Sequence, residues 1–154
     1  MPRIDQNQVP ARTGTDYPAP FAEQINQRVK QALGQAGGLI DIGVNLTRLP
    51  PGAWSSLRHW HTHEEEFVYV LSGELSLISD AGEQILRAGD SAAFPKNTPD
   101  GHHFINRGQT TAAYLEVGTR CDEDVCSYPD VDLHWDEAHG YTHKDGTPYL
   151  SSSR

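Results

Sequence analysis

Five of the chain's eight histidines fall in two short stretches. The first reads His59-Trp60-His61-Thr62-His63-Glu64-Glu65-Glu66 and lies between Gly52 and Gly73. The second follows Gly89 and Pro95 and ends in Asp100-Gly101-His102-His103-Phe104-Ile105-Asn106. In an extended strand, residues i and i+2 project to the same face, so His59 and His61 can point together into one interior. Two imidazoles converging in this way make half of a site for a borderline divalent metal.

A third ligand should come from the antiparallel neighbour. A turn over 62–65 brings Glu66 back beside the two histidines, on the face it shares with Val68 and Val70. An ionised carboxylate among apolar residues needs a cation, whereas Glu64 and Glu65 sit in a turn that water reaches. A fourth ligand belongs to the second stretch, where His102 shares a face with Phe104 and His103 with Ile105; parity alone does not choose between them. His63, at the mouth, is expected to be solvent-exposed, with proton transfer as its functional alternative.

Elements that could position these groups are short. Strand-like segments occur at 39–49, 54–61, 66–72, 74–79, 84–87, 91–94, 102–106 and 111–117. Most are separated by turns drawing on the chain's fourteen glycines and ten prolines. That spacing predicts an all-β barrel or sandwich. Upstream, Phe21, Ile25, Val29 and Leu33 recur at helical spacing, which predicts one short amphipathic helix over 21–34. The expected organisation is an N-terminal arm with that helix over 1–38, a barrel over 39–120 and an acidic tail with little regular structure over 121–154. Phe67-Val68-Tyr69-Val70-Leu71 is apolar on both faces; a covering element or a second copy of the chain must meet the outer one, and a homodimer is expected.

A formal charge of −9 argues against a nucleic-acid partner. No apolar run is long enough to span a membrane and no signal peptide precedes the first element, so a cytoplasmic protein is expected. In that compartment Cys121 and Cys126 should be free thiols. Asp122, Glu123, Asp124, Asp130, Asp132, Asp136 and Glu137 read as a solvated acidic surface.

The two stretches resemble the two motifs of the cupin superfamily. His59-x-His61, four residues, Glu66, six residues and Gly73 match the first; Gly89, five residues, Pro95, then His102, three residues and Asn106 match the second. The resemblance implies a double-stranded β-helix, or jelly-roll barrel, of the small single-domain type. It implies one divalent ion (Mn, Fe, Co, Ni or Zn) held by His59, His61, Glu66 and His102, which selects His102 over His103. In this chain Asn97 replaces a motif glycine, and Asn tolerates a left-handed turn. Asp100-Gly101 is inserted before His102, so an ungapped alignment places Asp100 at the fourth ligand. Four protein ligands on an octahedral ion leave open positions for a small anionic or oxygen-rich metabolite. The function expected is a metal-dependent enzyme, with isomerase, lyase and dioxygenase open, and a non-catalytic small-molecule sensor as the alternative. Some proteins that the chain resembles in this way are described as sugar-phosphate isomerases, which is a weak pointer to the reaction.

Overall fold

The computed structural model describes residues 2–150. Its strands, in chain order, are β1 (Ala11–Thr13), β2 (Val29–Ala32), β3 (Ile42–Leu49), β4 (Trp60–His61), β5 (Glu66–Ser72), β6 (Glu74–Ser79), β7 (Gly82–Arg87), β8 (Ser91–Phe94), β9 (His103–Ile105), β10 (Ala112–Thr119), β11 (Val125–Ser127), β12 (His134–Asp136) and β13 (Gly140–Thr142). One sheet runs β1-β2-β3-β10-β5-β8, a second β7-β6-β9 and a third β13-β12-β11-β4, with antiparallel pairing throughout.

The first two sheets enclose the main core. Leu49, Val68, Val70, Ala112 and Tyr114 come from the six-stranded sheet and meet Leu75, Leu77, Leu86 and Phe104 from the other. On β5 the inward residues Val68 and Val70 are buried while Phe67, Tyr69 and Leu71 remain exposed. Tyr69 therefore does not pack in a core, and among the described residues no element covers this face. Between β5 and β6 the chain changes sheet at Gly73, whose φ of +74° favours glycine. A Cβ there would lie 2.8 Å from Ala112 Cα on β10.

The N-terminal segment departs from the expected helix. Phe21–Ile25 forms a 3-10 turn, Val29–Ala32 is a strand on the edge of the large sheet, and the α-helical turn is Leu33–Ala36, α1. Gly34 lets α1 pack directly against β3: a Cβ there would sit 2.9 Å from Val44 N. Burial of Gln31, which donates to the carbonyls of Gln6 and Val9, was not legible from an apolar pattern.

The C-terminal segment is also more regular than expected. Strands β11–β13 add to β4, with Cys126 opposite His61. A second core joins the two ends of the chain, with Tyr17, Phe21 and Ile25 from the first and Cys126, Tyr128, Leu133, Trp135 and Tyr141 from the second. Arg58 fixes this layer further, pairing with Asp130 at 2.9 Å and with Asp80. Among the described residues no helix is long and apolar enough to cross a membrane.

Candidate metal centre

His59, His61, Glu66 and His102 converge at one end of the barrel. The Nε2 atoms of His59, His61 and His102 stand 3.6, 3.7 and 2.8 Å from Glu66 Oε2. Ligand atoms of His59, Glu66 and His102 all lie within 4.8 Å of one another. The chain pairing explains the convergence. His59 and His102 form a bridge, with His59 N to His102 O at 3.2 Å and His102 N to His59 O at 2.9 Å, while Glu66 opens β5 beside Phe94 at the end of β8. The Phe94 ring stacks on His102 at 3.5 Å between centroids and fixes its plane.

Hydrogen bonds set which ring nitrogens face inward. His59 Nδ1 lies 2.8 Å from Leu57 O, and a carbonyl only accepts, so this nitrogen carries the proton and Nε2 keeps its lone pair. His61 Nδ1 likewise donates to Asp124 Oδ2 at 2.6 Å. Asp124 Oδ1 takes the amides of His63 and Glu64 at 2.8 and 3.1 Å, so its carboxylate is held from three directions. Such outer partners orient metal-binding imidazoles and raise their basicity.

The electrostatics agree with this arrangement. Burial opposes ionisation of Glu66, but His102 and His59 outweigh it and hold the carboxyl well below its ordinary value. Burial likewise disfavours a charged His61, and Asp124 and Glu66 overcome it to raise the imidazole. His102 is lowered, chiefly by burial. Glu66 Oε2 is buried and, although His102 Nε2 is near, receives no hydrogen bond of good geometry. An orphaned anionic oxygen facing three imidazole nitrogens is the donor set that suits a divalent cation.

Asp100 is engaged elsewhere: its Oδ1 accepts from Asp80 N at 2.7 Å in the β6–β7 turn. The inserted Gly101 lets the C-terminal layer approach, since a Cβ there would lie 2.9 Å from Pro129 Cγ. Asn97 adopts the left-handed conformation expected of it, at φ 54°, and its amide bonds His61 O at 2.8 Å. His103, the alternative that parity left open, does not join the cluster. It is buried, bonded through Nδ1 to Ser56 O at 2.9 Å and packed edge-on against Trp54. His63 is exposed, hydrogen-bonded to Thr62 Oγ1 and apart from the cavity lining.

The four clustered residues open into a cavity of about 420 Å³. Its further walls include Arg28, Lys30, Tyr17, Tyr128, Tyr141 and Cys126. Both cysteines are free thiols. Burial keeps Tyr17 and Tyr128 well above the ordinary phenol range and pushes Tyr141 up to about 12, so all three remain neutral donors. Sequence reasoning missed Asp124 by assigning it to a solvated surface, although it is 1% exposed. It missed Arg28 and Lys30 by reading a helix; their i, i+2 spacing was the available signal for a strand.

Comparison with known proteins gives the same picture. Residues 45–118 match the Cupin_2 cupin domain family. A sugar phosphate isomerase from a cupin superfamily of Silicibacter pomeroyi DSS-3 superposes with a TM-score of 0.91, at 43% identity, over 97% of this chain and 98% of that one. A polyketide cyclase of Streptomyces resistomycificus shares the fold at a TM-score of 0.62 and 20% identity, over 77% of this chain and 79% of its own. A probable oxalate decarboxylase of Arthroderma benhamiae is 35% identical over 82 residues, 49% of this chain; the chain spans only 20% of that protein's length. The paired histidine stretches, the barrel and a relative matched along nearly the whole length lead to one assignment: the chain belongs to the cupin superfamily.

Proposed function

We propose that this protein is a divalent-metal-dependent enzyme that acts on a small, anionic, oxygen-rich metabolite, with sugar-phosphate isomerisation as the favoured reaction. One observation carries the reading: three imidazole Nε2 atoms surround a buried carboxylate oxygen that lacks a hydrogen bond, at the end of a substrate-sized cavity. Held by His59, His61, Glu66 and His102, an ion of the Mn, Fe, Co, Ni or Zn series would supply Lewis-acid polarisation of a carbonyl or hydroxyl. Around that end, Tyr17, Tyr128 and Tyr141 offer neutral hydroxyls that orient oxygen atoms. The arm and the C-terminal strands supply much of the wall around that end. His63, outside the lining, is not favoured as the proton-transfer group. The S. pomeroyi relative supports isomerisation; the fungal match, confined to a fifth of that protein, supports decarboxylation less.

Free Cys121 and Cys126 fit a reducing cytoplasmic setting. The uncovered Phe67, Tyr69 and Leu71 face supports a homodimer.

The test is to incubate metal-reconstituted protein with aldose and ketose phosphates in D₂O and follow them by NMR. Isomer interconversion that disappears in Glu66→Gln is expected. Saturable binding with unchanged substrate would contradict an enzyme and identify a non-catalytic binder.

A further inference from the structure

Among the described residues, three Lys or Arg side chains line the cavity: Arg28, Lys30 and Arg120. Two are already matched by carboxylates. Lys30 Nζ stands 3.2 Å from Glu116 Oε2, and Arg120 Nη1 stands 3.8 Å from Glu64 Oε2. Arg28 is held differently. Its Nη1 donates to Ser55 O at 2.7 Å and its Nη2 to Gly14 O at 3.0 Å. Both partners are uncharged carbonyls, so they fix the guanidinium in place without neutralising it.

Two of the five N–H donors of the guanidinium are used by these bonds. Its Nε is buried and has no partner among the described residues. Arg28 lies near enough to Tyr17, Tyr114 and Tyr141 for its charge to offset part of the burial that raises their hydroxyls, while Asp16 acts on Tyr141 and Glu116 on Tyr114 in the opposite sense. Asp122 and Glu137 stand at the exposed rim of the cavity, where solvent and salt screen them. A fixed, unneutralised guanidinium with spare donors in a concave site is matched by an oxyanion, which it can bind through two parallel N–H···O bonds.

We propose that Arg28 anchors an oxyanion, phosphate or carboxylate, carried by the substrate apart from the oxygens it presents to His59, His61, Glu66 and His102. This rests on the cavity being the substrate site, but not on the metal. The backbone bonds to Ser55 and Gly14 pre-organise the guanidinium, so little ordering is needed when the anion arrives. Ser55 belongs to the same 54–59 segment as His59, so the anion anchor and the histidine cluster are held by one piece of chain.

The experiment titrates inorganic phosphate, and separately acetate, into chelator-treated full-length protein by calorimetry, so that metal cannot bind the anion. Metal content after reconstitution is measured on the same preparations. Wild type should bind at least one of the two probes, and the stronger one identifies the anion class. Arg28→Gln should weaken that binding by at least about tenfold and Arg28→Lys, which keeps the charge but not the fork, by about threefold. Arg107→Gln, which removes a surface charge paired with Glu83, should bind like wild type. On wild type itself, the Arg28 Nε–H resonance should shift on adding the probe, which tests the contact even where a variant fails to fold. Unchanged affinity in a folded Arg28→Gln, an unmoved resonance, or no binding of either probe would overturn the proposal. Arg28-dependent binding in a protein that never takes up metal would uphold the anchor and sink the metal-enzyme reading instead.

Discussion

At the scale of single residues, the cluster depends on which nitrogen of each imidazole is protonated. Asp124 settles this for His61 by accepting from Nδ1 at 2.6 Å while its other oxygen holds two backbone amides. In Asp124→Asn the amide oxygen would keep the His63 and Glu64 amides, and its NH₂ would face His61. A donor there drives the Nδ1 proton to Nε2 and removes the lone pair that faces Glu66. Metal affinity, read by competition with a chromophoric chelator, should fall about 10–100-fold with the fold retained. Unchanged affinity in a folded variant would remove Asp124 from this role. Local sequence could not reveal this residue. His61 and Asp124 are far apart in the chain and meet only because β11 pairs with β4.

At the scale of elements, alternation and turn chemistry were the legible part. Glu66, Val68 and Val70 do share a face, and the strands at 66–72, 74–79 and 91–94 stand where spacing put them. Where the sequence misled, a short segment fitted two periods. Ile25, Val29 and Leu33 satisfy a helix, but the buried Gln31 and the pairing of Val29–Ala32 with β3 make it a strand. Tertiary pairing outweighs weak helical propensity in so short a piece. Likewise β11–β13 have too few residues each to show alternation. Gly73 illustrates what a motif glycine does here: it combines a left-handed backbone with a close approach to β10. Gly73→Ala should therefore cost more than about 1–2 kcal/mol, seen as a melting temperature lowered by several degrees. Gly82→Ala, at φ +106° with open space around the new methyl, should cost less. Equal losses would show that strain alone, not contact with Ala112, fixes Gly73.

For the whole molecule, the two ends of the chain act as one layer that closes the barrel and supplies much of the cavity wall. What this layer leaves open is the outer face of β5, where Phe67, Tyr69 and Leu71 are 42%, 42% and 44% exposed. A row of large apolar side chains on a sheet is a surface suited to self-association. Light scattering should give twice the chain mass, and Phe67→Glu with Leu71→Glu should give the monomer without loss of metal. A wild-type monomer at micromolar concentration would contradict the dimer.

Whether His59, His61, Glu66 and His102 hold an ion is tested most directly by elemental analysis of protein purified without added metal, compared across wild type, His102→Ala and Asp100→Ala. About one divalent ion per chain is expected in wild type and Asp100→Ala, with none in His102→Ala. Metal-free wild type, or metal retained in His102→Ala and lost in Asp100→Ala, would contradict it.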